Sequence, residues 1–305
     1  MRAQAKPPIL IGWFHADSRE SSARYLSAFK EGLAALGWKE GSQIVIEERW
    51  GDGRPARLRP LAEELAAKKP AVIVAAPTTA VGPVAKAAPQ TPIVMASGGD
   101  PVAWGLVKSL ARPGGLITGL TNFSSSVAEK YIELLLAAAP KVKRVGVLGA
   151  STSGSALTRE AVRRSAVQYS VEARFVELAN PEEIEPAIAR LAKEGAQALV
   201  VLLSPMLRVE RRRIMKLALA QRWPVVAGVS EFAEEGALLT YSGDALANYR
   251  RAAYYVDRIL KGAKPADLPI EQSTKFEFVL NLKTAKALGL TIPQTILVRA
   301  DKVIE

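Results

Sequence analysis

The chain contains a single histidine, His15, which closes the apolar run Ile9-Leu10-Ile11-Gly12-Trp13-Phe14 and stands two residues before Asp17. An imidazole titrating near neutrality beside a carboxylate is the equipment of a general base, and Asp100 is a second acid that could approach it. The rest of the inventory argues against catalysis. The chain has no cysteine, which removes a thiol nucleophile, a thiolate metal site and the paired thiols a two-lobed racemase commonly uses. No metal-ligand spacing or phosphate loop occurs, and the glycines at 98–99 and 114–115 lack the strand–GxGxxG–helix order of a dinucleotide site. His15 is therefore read as a cleft-lining residue without catalytic duty, in a protein that is not an enzyme and carries no cofactor or metal. The more telling residues are hydroxyls and glycines just ahead of helical stretches, above all Thr78-Thr79 and Ser97-Gly98-Gly99. Free backbone N–H groups at a helix start, with Ser or Thr beside them, suit a carboxylate or another small anion.

Those residues are placed by a duplication. Residues 9–122 are told again by 142–246: an apolar strand, a helical stretch, a second strand, a second helix, a buried strand, a third helix and a strand opened by proline. Gly12 answers Gly146, Ala71 answers Ala198, Pro92 answers Pro224 and Gly105 answers Gly236, at nearly constant offsets. The periodicity gives a first helix near 21–36, with Tyr25, Leu26, Phe29, Leu33 and Leu36 on one stripe. Asp17-Ser18-Arg19-Glu20 resembles its capping box, and Asn180-Pro181-Glu182-Glu183 reads as a second helix start. The continuous apolar run Ala71-Val72-Ile73-Val74-Ala75-Ala76 is the strand expected when helices cover both faces of a sheet. In the tail, a strand at 276–281, a helix at 283–288 and a last strand at 295–298 belong to neither repeat. Two similar α/β units imply two lobes with a cleft between them: lobe I from 1–119 with 244–275, and lobe II from 120–243 with 276–305.

In parallel open sheets ligands gather beyond the carboxyl ends of the strands. The candidate contacts are then Phe14, His15, Asp17 and Ser18; Pro77, Thr78 and Thr79; and Ser97, Gly98, Gly99 and Asp100. The second copy offers Ser151 and Thr152; Ser204, Pro205 and Met206; and Val229, Ser230 and Glu231, while the first crossing adds Asn122 and Phe123. Phe14 and Phe123 end strands where a planar ligand could stack. Hydroxyls also cap helices for purely structural reasons, and aromatics at strand ends also fill cores.

Lysine and arginine outnumber acids 41 to 30, a formal charge of +11. The excess is dispersed, which favours a solvated basic surface over a nucleic-acid site. Its densest cluster, Arg208, Arg211, Arg212, Arg213 and Lys216, is expected on the outer face of a helix over 209–222. No run reaches the roughly 18 apolar residues of a membrane span. Ala3-Gln4-Ala5 looks like the small-x-small end of a signal peptide, as if the numbering began near the mature terminus.

Several longer motifs carry a family resemblance. Gly12-Trp13 with Ser21-Ser22-Ala23-Arg24, Phe29-Lys30-Glu31-Gly32-Leu33 and Gly37 forms the opening. Pro92-Ile93-Val94-Met95-Ala96, Gly99-Asp100-Pro101-Val102, Ala111-Arg112-Pro113-Gly114-Gly115 and Thr118-Gly119 form the middle. Leu268-Pro269-Ile270-Glu271-Gln272, Lys275-Phe276-Glu277 and Asn281-Leu282-Lys283-Thr284-Ala285 form the tail. Together they resemble ABC-transporter substrate-binding proteins of the kind that includes tryptophan and tyrosine binders. The resemblance implies an α/β, two-lobed periplasmic-binding-protein type I fold with three hinge crossings. It implies a monomeric periplasmic receptor that closes on a small-molecule ligand, an aromatic or amino-acid-like carboxylate among the candidates, and delivers it to ABC transporter permease subunits, without cofactor or nucleic acid. A ligand-sensing regulator of the same fold is the alternative; a DNA-binding arm would have to precede Ile9.

Overall fold

The computed structural model describes residues 7–122, 124–151 and 155–305. The chain divides into two compact units, residues 1–122 with 245–273 and residues 123–244 with 274–305, so it passes from one to the other three times.

Unit 1 begins with alternating elements: β1 (Ile9–His15), α1 (Arg19–Ala35), β2 (Ile44–Trp50), α2 (Pro55–Ala67), β3 (Val72–Ala76), α3 (Thr78–Ala87), β4 (Ile93–Met95) and β5 (Ile117–Thr121). Unit 2 continues with α4 (Ser124–Ala128), α5 (Lys130–Ala138), β6 (Arg144–Ala150), α6 (Ser155–Gln168), β7 (Glu172–Leu178), α7 (Ile184–Lys193), β8 (Ala198–Val201), α8 (Pro205–Val209), α9 (Arg211–Ala220), β9 (Val225–Ala227), α10 (Glu231–Glu234) and β10 (Leu239–Gly243). The chain then adds α11 (Ala245–Leu260) and β11 (Glu271–Gln272) to unit 1. It finishes in unit 2 with β12 (Phe276–Asn281), α12 (Leu282–Leu288), α13 (Gln294–Leu297) and β13 (Lys302–Ile304).

The duplication is visible in strand order. The repeated strands lie as β2-β1-β3-β4-β5 in one sheet and β7-β6-β8-β9-β10 in the other, all parallel. What differs is what the tail adds: β11 pairs parallel to β5, whereas β12 pairs antiparallel to β10 and carries β13. Each sheet is covered on both faces, which is why strands such as β3 are buried at every position. In unit 1, Ile11 and Trp13 face α1 and α11, while Phe14, Ile73 and Ala75 face α2 and α3. Gly32 lets α1 and α11 meet closely, because a Cβ there would lie 2.5 Å from the Arg250 carbonyl oxygen.

Local signals mostly hold. Ser18 caps α1 by accepting from the Ser21 N–H. At the second helix start Asn180 makes no cap bond; Glu183 instead reaches back to the Ala179 N–H at 2.8 Å and the Asn180 side-chain amide at 2.9 Å, ahead of a 3-10 turn. Two expectations fail. Residues 295–298 are not a strand: Pro293 begins a short helix whose Ile296 enters the core, and the last strand is β13. The basic stretch is not one helix with an outward arginine face, because the chain breaks at Glu210 between α8 and α9 and Arg208 is buried.

Asn281 joins the tail to unit 2. Its side-chain oxygen caps α12 through the Thr284 N–H at 2.9 Å, and its amide donates to the Ala233 carbonyl at 2.9 Å. Asn281→Ala removes a cap and strands a carbonyl, so a loss of about 2 kcal/mol is expected in urea unfolding. A change within a few tenths would show that the tail docks by apolar contact alone.

In unit 1, β11 is anchored by Arg251, whose guanidinium meets the Glu271 carboxylate at 2.7 and 3.0 Å. The guanidinium holds Glu271 below the usual carboxylate range against the opposing effect of burial. A depressed carboxyl stabilises the fold above its unfolded pKa, near 4.3, and loses that contribution as pH falls through the lower folded value. Arg251→Gln is expected to return the Glu271 titration, followed by carboxyl-carbon NMR, to the ordinary range; an unmoved midpoint would assign the shift to another group.

Candidate functional site

The carboxyl edge of the unit 1 sheet is a hydrogen-bonded platform around the start of α3. Pro77 stands at the cap position and supplies no side-chain bond, so the first amides of α3, those of Thr78 and Thr79, have no intrahelical acceptor. The loop after β4 lies directly against this helix start. Gly98 has a φ of +144°, and a Cβ on it would fall 1.9 Å from Thr78 Oγ1 and 2.6 Å from Thr78 N. The Gly98 backbone is thus packed directly against Thr78, an approach that only a residue without a side chain allows. The Gly98 carbonyl accepts from the Asn122 N–H at 2.9 Å and the Thr121 hydroxyl at 3.1 Å; the Gly99 carbonyl accepts from Thr121 at 2.8 Å and, more distantly, from Thr78 at 3.5 Å. Asn122 donates its side-chain amide to Ser97 Oγ at 3.3 Å and accepts from Asn248 of α11. Within this satisfied network the buried Thr79 Oγ1 makes no hydrogen bond among the described residues. Buried hydroxyls are ordinarily paired, so an orphan at a helix amino terminus marks a place for a ligand acceptor or donor.

His15 and Asp17 are deeper than a cleft wall. The imidazole is 1% exposed and ringed by Trp13, Tyr25, Trp50 and Tyr249, with ring centroids between 5.3 and 6.3 Å. Its Nδ1 accepts the Asp17 N–H at 3.2 Å, which leaves the proton on Nε2, 2.8 Å from the Tyr249 hydroxyl. Asp17 Oδ2 accepts from Ser22 at 3.0 Å. Both ring nitrogens are used inside unit 1, so this histidine organises the β1–α1–α11 junction. Asp100 is likewise local, its Oδ1 receiving the Val102 and Ala103 amides of its own turn.

In unit 2, taken by itself, the corresponding edge holds Ser151, exposed after β6, and Ser204, which caps α8 by accepting the Leu207 N–H at 3.1 Å. Pro205 follows at the first helical position and Ser230 stands at the cap of α10. Glu231 is buried 4.0 Å from the Arg208 guanidinium. Tyr131 of α5 ends at this edge: a Cβ on Gly228 would lie 2.5 Å from its hydroxyl, with Leu203 beside it. Burial pushes the phenol pKa upwards, so the group stays a neutral hydroxyl at any ordinary pH.

Two α/β units built alike, each with a polar carboxyl edge, are matched as a whole by one family. Residues 17–304 fit the model described as ABC transporter substrate binding protein. The chain belongs to that family. A tyrosine-binding protein of Clostridioides difficile (strain R20291) is 26% identical over 263 residues, covering 86% of this chain and 75% of that protein. The crystal structure of an ABC domain in complex with L-Trp from Streptococcus pneumonia superposes with a TM-score of 0.90 at 26% identity, over 98% of this chain and all of the other (100%). A conserved domain protein of Vibrio cholerae O1 biovar eltor shares the fold at TM-score 0.91 and 24% identity, over 97% and 100% of the two chains. The α/β fold is that of type I periplasmic binding proteins, as the motifs suggested. The family is one of solute-binding proteins, and among the described residues no helix is long and apolar enough to cross a membrane.

For this substrate-binding protein most of the described strand-end residues fall into three groups, while Ser151, Pro205 and Ser230 stand at the unit 2 edge. Pro77, Thr78, Thr79, Ser97, Gly98, Gly99 and Asn122 are brought together at the head of α3. Phe14, Met206 and Val229 instead lie in apolar cores, Phe14 among them packed inside where a stacking face was expected, because neighbouring strand and helix positions alternate between faces. His15, Asp17, Ser18, Asp100, Ser204 and Glu231 make structural bonds within their own unit. Phe123 and Thr152 lie outside the described residues. Sequence reasoning passed over Thr121, Asn248 and Tyr131 as edge residues and read Arg208 as an outward surface charge.

Proposed function

We propose that this substrate-binding protein is the extracytoplasmic receptor of an ABC import system. It acts in the periplasm as a monomer, binds a small aromatic or amino-acid-like carboxylate, closes its two lobes on it and delivers it to the permease subunits. The task involves no reaction, cofactor or nucleic acid. Family membership supports the receptor role, and the printed ligands of two relatives, tyrosine and L-Trp, support an aromatic solute. The observation that carries the carboxylate is the head of α3, where the first amides have no intrahelical acceptor and the Thr79 hydroxyl makes no hydrogen bond among the described residues.

Native mass spectrometry of the purified protein should find a carried-over small acid. In a thermal-shift screen a true ligand at 100 times its dissociation constant stabilises by about 2.7 kcal/mol, several degrees for a chain of this size. A protein that arrives empty and shifts with no aromatic or aliphatic carboxylate would remove this reading.

A further inference from the structure

We infer that Tyr131 is a specificity-determining contact of the solute, its hydroxyl answering an uncharged polar group such as a ring hydroxyl, an indole N–H or an amide. The inference rests on the receptor reading above and adds to it a residue of unit 2 and a rule of selection.

The ring of Tyr131 is anchored and its hydroxyl is not. Tyr131 lies in the first turn of α5, 3% exposed, in the core that also holds Val200, Val226 and Leu239. Its oxygen stands at the ends of β8 and β9. A Cβ on Gly228, the residue after β9, would lie 2.5 Å from that oxygen and 3.4 Å from the Leu203 Cβ. Burial is the cause of the raised phenol pKa, and neither a charge nor a hydrogen bond among the described residues acts on the group. Tyrosine hydroxyls at this depth are ordinarily paired. The sheet itself does not require the arrangement. The offset that takes Pro92 to Pro224 takes Ala96 to Gly228, and Ala96 is fully buried at its strand end with its side chain in place. Unit 2 lacks that side chain, and the Tyr131 oxygen stands beside the position it would fill.

One hydroxyl does not suffice for a charged group, because a carboxylate or ammonium taken out of water needs an opposite charge or several polar partners. Beside the Tyr131 oxygen stand the Gly228 backbone and the Leu203 side chain. The buried charges of this edge, Arg208 and Glu231, lie 4.0 Å from each other. A neutral group matches the phenol, which can donate its proton to an oxygen or accept one from an O–H or N–H. A solute without such a group would leave the hydroxyl enclosed and unanswered, and sites built in this way reject the analogue that lacks the partner.

Calorimetric titration of the full chain with pairs that differ in one such group tests this, in the wild type and in Tyr131→Phe. The pairs are L-tyrosine against L-phenylalanine, 3-(4-hydroxyphenyl)propionate against 3-phenylpropionate, and L-tryptophan against 1-methyl-L-tryptophan. In the pair that binds best, the member with the free O–H or N–H is expected to bind the wild type at least about tenfold more tightly. Tyr131→Phe should remove that preference by weakening this member alone. The variant loses an oxygen that bonds to none of the described residues, so its melting temperature without ligand should not fall. No preference in the wild type, a preference that survives in Tyr131→Phe, or equal weakening of both members overturns the inference and leaves the receptor reading standing. A lowered melting temperature of the unliganded variant overturns it too, because the hydroxyl would then belong to the scaffold. If none of the six compounds binds, the aromatic-carboxylate reading falls and this inference with it.

Discussion

Gly98→Ala is expected to abolish solute binding and to destabilise the protein by about 3 kcal/mol or more. Two costs add at this position. The φ of +144° is a conformation that side-chain-bearing residues rarely adopt, worth about 1–3 kcal/mol of backbone strain. The added methyl would also meet Thr78 Oγ1 at 1.9 Å and Thr78 N at 2.6 Å, and overpacking of this kind costs about a further 1–3 kcal/mol. The methyl can be accommodated only by pushing Thr78 and the first turn of α3 away from the β4 loop, so even a chain that relaxes around it loses the geometry of the α3 amino terminus. Gly105→Ala is the matched control. Its φ of +68° carries backbone strain, but a Cβ there meets nothing within 4 Å, so it should lose only about 1–2 kcal/mol and keep full affinity. Urea unfolding and calorimetry on both variants separate the effects. If Gly98→Ala binds a wild-type ligand with unchanged affinity, the head of α3 is not where the solute sits.

The contrast between these glycines shows which parts of the molecule could be read from its residues. The succession of elements was legible because the two halves repeat it, and the short continuous apolar run Val72–Ala76 between turn residues has the length of a buried parallel strand. The position of the polar edge followed from that order, since a strand that ends at Ala76 must hand Pro77-Thr78-Thr79 to the next helix. Which strand-end side chains face outwards was not legible. Trp13, Phe14 and His15 are three consecutive ring-bearing residues, yet Trp13 and Phe14 fill cores on opposite faces and His15 is closed in by Tyr25 and Tyr249 from two other elements. Nothing local announces a partner such as Tyr249, 234 residues away in sequence. The tail misled for a related reason: Thr295-Ile296-Leu297-Val298 is β-prone by composition, but Pro293 and the burial of Ile296 against unit 2 select a helical turn.

The Arg208–Glu231 pair is where long-range placement has the largest consequence. Both residues had local readings, Arg208 as an outward charge and Glu231 as a solute contact, and the fold buries them 4.0 Å apart. Removing one member of a buried ion pair takes a partner of opposite charge from the other, so Glu231→Ala is expected to cost unit 2 about 3–5 kcal/mol. Arg208→Met should cost about as much by the same reasoning. The double variant Arg208→Met with Glu231→Leu exchanges the pair for apolar side chains beside Met206, Val229 and Phe232, which already belong to that core. It should therefore be markedly more stable than either single variant, and a double-mutant cycle on denaturant midpoints should return a coupling larger than the loss of one single variant, about 3 kcal/mol or more. A solute contact would behave differently: Glu231→Ala would leave the melting temperature of the unliganded protein in place and weaken binding alone. Additive single effects, with no recovery in the double variant, would mean that the two charges are each satisfied by other groups and that the pair does not hold this edge of unit 2 together.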